Sequence, residues 1–261
     1  MDRIATLGRA FFAVAIVAFG VQHVVHADFV TRVVPWWPDW IPGRRLWAGA
    51  VGAVLIGAGV AILMGKRTRV VAMLLGSIIL LSFLFLAVPL AVTDSPLGGL
   101  WTWAGKALAL SGGAFLVARS AITAAEPAAG GLVGLTPRFE SLWSVGSWFF
   151  GAFLTLCGVQ HFIHAGFVQS LVPSWIPGAA FWTYFAGVAL IAGGIGVVIR
   201  KTAWLAGLLS GLMIFLWVVL LHIPRAAAAA TQSTNETTAV FEALAMSGIA
   251  FLIAANVPPK S

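Results

Sequence analysis

The sequence predicts an all-α membrane protein whose eight transmembrane helices form two parallel four-helix repeats. Three observations carry this: 61% of its 261 residues are hydrophobic and only 9% charged, eight apolar runs are long enough to cross a bilayer, and the second half repeats the first. Soluble proteins average roughly 25% charged residues. At a mean hydropathy of +1.01, a water-soluble fold has nowhere to hide so much apolar surface. Lipid is the solvent of most of this chain.

A helix needs about 20 apolar residues to cross the hydrocarbon core. Such runs lie at 8–27, 46–64, 69–92, 100–118, 143–164, 180–199, 203–223 and 238–256. Lipid offers the backbone no hydrogen-bond partner, so each span must bond to itself as a helix. None shows the period-two alternation of a membrane barrel strand. The first run follows Arg3 and Arg9 as a secretory leader would, but its close copy at 143–164 marks it as a structural helix.

Charge sets the direction. Arg3, Arg9, Lys66, Arg67, Arg69, Arg119, Arg138, Arg200, Lys201 and Lys260 fall on one side of the eight spans. Arg32, Arg44, Arg45, Lys106 and Arg225 fall on the other, offset there by acidic residues. The more basic side is expected in the cytoplasm, with both termini inside. The net charge of +7 comes from short clusters between apolar runs, not from a face that could follow a phosphate backbone, which argues against nucleic-acid binding. Cys157 is the only cysteine, so an intramolecular disulfide, a redox pair and a cysteine-based zinc site are all excluded.

The repeat is explicit. Gly20-Val21-Gln22-His23-Val24-Val25-His26-Ala27-Asp28-Phe29-Val30 recurs as Gly158-Val159-Gln160-His161-Phe162-Ile163-His164-Ala165-Gly166-Phe167-Val168. Trp40-Ile41-Pro42-Gly43 recurs as Trp175-Ile176-Pro177-Gly178, and Trp47, Gly52, Gly59 and Gly76 match Trp182, Gly187, Gly194 and Gly211. Pro89 matches Pro224, and Ala107-Leu108-Ala109 matches Ala243-Leu244-Ala245. The expected organisation is a first repeat over 1–119, a cytoplasmic linker over 120–140 and a second repeat over 141–261. An even number of spans per repeat orients both copies alike, which predicts a pseudo-two-fold axis along the membrane normal. Small residues four apart, Ala53, Gly57, Ala61 and Gly65 in one copy and Ala189, Gly193, Ala192 and Gly196 in the other, are expected at close helix contacts.

All five histidines fall at the outer ends of spans: His23 and His26, His161 and His164, and His222. Residues three apart share a helical face, so each pair is expected to address one neighbour. Gln22, Gln160, Lys106 and Glu242 complete the polar set on this side, the last two at equivalent positions with opposite charge. Polar groups at membrane depth point to function. Two readings stay open, ligand binding or proton relay by these residues and bonding to irregular loop carbonyls. No metal site is assigned, because each His-x-x-His lacks a carboxylate at the same turn. Trp36, Trp37, Trp40 and Trp175 read either as an interface belt or as a lid stacking on a flat ring.

Together these motifs resemble the DoxX-like family of four-helix membrane proteins. The resemblance rests on Gln-His closing the first span, Val172-Pro173-Ser174-Trp175-Ile176-Pro177-Gly178, Leu221-His222-Ile223-Pro224, and Glu242-Ala243-Leu244 with Gly248. It implies a bacterial inner-membrane location and, for some relatives, membrane subunits of thiosulfate:quinone oxidoreductases and other redox assemblies. The second half fits better, since Ala87 stands where His222 does and Lys106 where Glu242 does. The expectation is a redox-linked component holding a quinone or haem near the outer face, with a partner oxidoreductase subunit. A solute or lipid permease and a non-catalytic scaffold stay open beside it, as do enzymatic activity and oligomeric state.

Overall fold

The protein is described by a computed structural model over residues 2–34, 37–38, 40–94, 97–122, 136–229 and 234–256. It is all-helical, with no strand among the described residues. The elements are α1 (Asp2–Val25), α2 (Arg44–Leu63), α3 (Thr68–Ser82), α4 (Val88–Ala91), α5 (Gly99–Ile122), α6 (Thr136–Ile163), α7 (Ala165–Leu171), α8 (Ala179–Val198), α9 (Ala203–Trp217), α10 (Ile223–Ala228) and α11 (Thr234–Asn256).

Six helical stretches are long and apolar enough to cross a membrane: Arg3–Val25, Arg44–Leu63, Thr68–Ala91, Ala179–Val198, Ala203–Ala228 and Asn235–Asn256. Ser144–Ile163 passes the same test only together with Ala165–Leu171, from which a 100° bend separates it. The chain is thus a multi-pass membrane protein. The 24-residue α5 covers the run expected at 100–118, but Lys106, Thr102 and two tryptophans make it less apolar than the six. The linker expected over 120–140 is shorter at both ends. α5 runs to Ile122 and α6 begins at Thr136, with Pro137 in the first turn, where a missing N–H is harmless. Its middle, 123–135, lies outside the described residues.

Local sequence explains the element ends. Gly43 and Gly178, the last residues of the two Trp-Ile-Pro-Gly motifs, sit at φ +79° and +76° and turn the chain into α2 and α8. Side chains rarely tolerate that left-handed conformation, and glycine does. Pro89 and Pro224 each follow a π-helical turn, Phe83–Ala87 and Val218–His222. Proline removes a backbone donor and crowds the preceding turn, and the wider π turn absorbs both effects.

Neighbour relations close a ring. α1 packs between α2 and α11, and α6 between α8 and α5; α3 lies on α5, α9 on α11, α2 meets α3, and α8 meets α9. α5 and α11 also touch across the middle. Glycine sets the close approaches. A Cβ on Gly8 would stand 2.7 Å from the Gly248 carbonyl oxygen and one on Gly248 2.7 Å from that of Gly8, while Gly112 and Gly146 block each other at 2.8 and 2.7 Å. These contacts join α1 to α11 and α5 to α6, one helix from each half of the chain.

The small-residue rows need correction. On α2 the helix contact runs through Gly52 and Gly59, which face Gly20 and Ala13 of α1, whereas Gly57 and Gly65 have open space where a Cβ would sit. On α8, Gly193 and Gly196 do face α9, at Ser210 and Ala206. Spacing locates a row of small residues; the packed face depends on which side the neighbour occupies.

Candidate functional site

The charged centre of the molecule is Glu242. From α11 its Oε1 accepts a hydrogen bond from Lys106 Nζ of α5 at 2.7 Å. Its Oε2 accepts from Arg32 Nε at 3.0 Å and Nη2 at 2.6 Å. The Glu242 side chain is 9% exposed, Lys106 14% and Arg32 36%. Both residues lie roughly 10–12 Å inside the N-terminal ends of their helices at 1.5 Å per residue. At that depth each charge is stabilised by its partners in place of water. Two cations on one carboxylate leave the cluster net positive, so the opposite signs at positions 106 and 242 meet in one ion pair.

The histidine pairs divide in place of acting together. His23 is buried and donates Nδ1–H to the Phe19 carbonyl at 2.7 Å, with Phe29 edge-on to its ring. His26 lies past the end of α1, beside the positive-φ Ala27, and is exposed. His161 copies His23, donating Nδ1–H to the Cys157 carbonyl at 2.7 Å while stacking on Trp217. Since a carbonyl only accepts, Nδ1 carries the hydrogen in both rings and Nε2 is the basic nitrogen. His164 sits in the bend between α6 and α7 and donates to the Leu97 carbonyl at 3.1 Å. A shared helical face is lost in each pair because the helix stops or bends between its members.

His222 stands among Arg32, Glu242, Arg225 and Glu236, close enough for their charges to act on it. Arg225 and Glu236 pair through two hydrogen bonds of 3.1 and 2.9 Å. The charges of Lys106 and Glu242 also reach Cys157, one turn inward of His161. His161, His222, Lys106 and Glu242 thus converge at one end of the bundle, with Cys157 as a packing residue beneath. His164, His23 and His26 face elsewhere.

Gln22 and Gln160 tie the halves together. Thr238 Oγ1 donates to Gln22 Oε1 at 3.1 Å, and Thr102 Oγ1 donates to Gln160 Oε1 at 3.0 Å. The Gln160 amide also donates to the Leu97 and Gly98 carbonyls at 2.8 and 3.2 Å. Leu97 holds φ +58°, an uncommon angle outside glycine, and the bonds from Gln160 and His164 hold it there. Among the described residues the buried polar atoms Gln22 Nε2, His23 Nε2, Thr183 Oγ1 and His222 Nδ1 have no hydrogen-bond partner. Each costs about 1–3 kcal/mol unless something satisfies it.

The loops that follow the two Gln-His motifs differ between the copies. In the first, Phe29 and Val30 are buried, Trp37 stacks on Phe29 at 4.6 Å and donates to the Ile41 carbonyl, and Trp103 Nε1 donates to the Val33 carbonyl at 3.1 Å. This strap places Arg32 over Glu242. A hydrogen bond from Arg44 holds the Asp28 carboxyl below the usual carboxylate range. That half-exposed contact therefore persists through neutral pH and is lost only as acid protonates Asp28. In the second copy the same stretch is α7, which has no buried residue. Trp40 and Trp175 are 80% and 63% exposed, as a belt requires, and Trp36 lies outside the described residues.

Arg32, Thr102, Thr238 and Leu97 are site residues that motif reading missed. Thr102 and Thr238 precede Lys106 and Glu242 by the same one-turn spacing, a signal that was there to find. Arg32 has serine at the matching position, Ser170, so repetition gives no hint of it. Among the described residues no group of three or more His, Cys, Asp or Glu is placed to hold a metal ion.

Residues 150–257, from within α6 into the end of α11, match the family model described as Domain of unknown function (DUF8561). No curated protein and no solved structure matches the chain. The matched stretch holds His161, His222 and Glu242, the three residues of the convergent set that come from the second half.

Proposed function

We propose that this protein is a DoxX-like membrane component of a bacterial inner-membrane redox assembly that binds a quinone head group at the outer end of its bundle. In this reading α5 and the straight part of α6 also cross the bilayer. That gives eight spans in two parallel repeats around a pseudo-two-fold axis, with both termini in the cytoplasm. The matched contacts of α1 with α11 and α6 with α5 support the axis, as do the paired hydrogen bonds of Gln22 and Gln160. Lys106 and Glu242 meet where such an axis would bring equivalent positions face to face.

The observation that carries the functional reading is the net-positive cluster of Arg32 and Lys106 around the buried Glu242, with the unpartnered Nδ1 of His222 beside it. A quinone head fits this donor set, because its ring oxygens accept hydrogen bonds and gain negative character on reduction. A bound quinone supplies two-electron, two-proton chemistry; Lys106 and Arg32 would orient its head, and His222 Nδ1 would offer it a further polar contact. Haem fits less well. The imidazoles that would hold it, those of His23 and His161, are instead packed against Phe29 and Trp217.

Purification into lipid nanodiscs, followed by lipid extraction and titration with ubiquinone-1, tests this. The expected result is quinone enriched over the parent membrane and binding that weakens about tenfold or more in Glu242→Gln, because Lys106 and Arg32 lose the carboxylate that positions them. A quinone-free preparation that does not bind ubiquinone-1 rules the reading out.

A further inference from the structure

The copies differ in the same sense at two positions that carry a buried polar atom in the second. Thr183 is 1% exposed and its Oγ1 has no partner among the described residues; the residue matching it in the first copy is Ala48, fully buried. His222 Nδ1 is likewise buried without a partner, and its counterpart is Ala87, also fully buried. At both places the first copy buries a methyl group and no polar atom. The second copy instead spends buried polar atoms there, against the tendency of such atoms to be satisfied. Thr183 does not even use the escape open to a helical threonine, which Thr155 takes by donating to the Gly151 carbonyl at 2.9 Å.

Thr183 and His222 lie on helical segments whose neighbouring residues, Gly187 and Trp217, border the His161 ring. A Cβ on Gly187 would lie 3.0 Å from His161 Cβ, and Thr183 is one turn outward of Gly187 on the same face of α8. On the other side His161 stacks on Trp217, which ends α9 just before the π turn that carries His222. The contacts of α8 with α9 through Gly193–Ser210 and Gly196–Ala206 lie in the inner halves of these helices. Their outer halves present Phe185, Val188, Leu216 and Leu220 on the apolar surface.

We propose that α6, α8 and α9 of the second copy form a binding site for a neutral amphiphile, in which Thr183 and His222 hold an oxygen-bearing ring head and the tail lies among lipid. Thr183 is its specificity-determining residue. The hydroxyl donates or accepts without charge, and Trp217 and His161 offer flat faces to a ring. The site rests on the quinone reading for its location beside Glu242, and it widens the ligand class to oxygenated rings in general.

The test uses the full chain in nanodiscs, with ubiquinone-1 and a redox-inactive alkylphenol as probes, read by titration calorimetry and by the melting temperature without ligand. Thr183→Val is expected to weaken at least one probe about 3- to 10-fold, the worth of one hydrogen bond. Its ligand-free melting temperature should be unchanged or raised, and Thr183→Ser should restore binding. Equal affinity of wild type and Thr183→Val for both probes overturns the site and assigns the hydroxyl to an ordered water. A wild type that binds neither probe overturns it too. Alkylphenol binding that depends on Thr183, with no ubiquinone-1 binding, keeps the site and removes the quinone reading. Quinone binding that responds to Glu242→Gln but not to Thr183→Val does the reverse.

Discussion

Replacing Glu242 with alanine is expected to destabilise the protein by about 3–5 kcal/mol, because it strands the buried Lys106 ammonium and removes the anchor of Arg32. The penalty comes from the uncompensated charge more than from the lost attraction. A pair changed together should therefore behave differently. Lys106→Met with Glu242→Leu fills the same space with apolar atoms and is expected to stay near wild-type stability, since Arg32 is partly exposed and can turn to solvent. Equilibrium unfolding in mixed micelles, followed by helical circular dichroism, measures both. If Glu242→Ala unfolds where the wild type does, the carboxylate is not held between two cations in the folded protein.

Gly248→Val should be the most damaging apolar change. Its Cβ would fall 2.7 Å from the Gly8 carbonyl oxygen and 2.9 Å from both Phe11 Cβ and Phe12 N. These atoms belong to the α1 backbone or its base and cannot swing aside, so α1 and α11 must separate along their length. Overpacking where side chains can adjust costs about 1–3 kcal/mol, and this substitution is expected at or above the top of that range. Gly57→Val is the control. It has nothing within 4 Å of its Cβ position, and a surface change of that kind stays within about 0.5 kcal/mol. Size-exclusion profiles after mild heating separate the two, and equal loss in both variants would mean that α1 and α11 do not cross at Gly8 and Gly248.

Much of the frame was legible beforehand. Apolar length located the helices, since lipid leaves the backbone no alternative. Repetition located the Trp-Ile-Pro-Gly turns and the prolines that the π turns accommodate. The convergence of His161, His222 and Glu242 at one end followed from the same spans. Other features were hidden for stated reasons. His26 and His164 share spacing with His23 and His161 but not fate, because α1 ends at Val25 and α6 bends after Ile163. Gly57 satisfied the small-residue rule on the face of α2 turned away from α1. Thr183 carried no motif at all, and only its burial without a partner drew it out.

By itself the sequence determined that this is an all-helical, multi-pass membrane protein, and where its glycine and proline turns fall, because those properties follow from apolar length, glycine and proline acting within a few residues. Only the tertiary structure decided that α1 lies on α11 rather than on α5, that Lys106 and Glu242 neutralise each other under Arg32, and which imidazoles are buried. Those outcomes depend on contacts between residues far apart in the chain, where close packing and charge pairing choose among neighbours that spacing alone leaves equivalent.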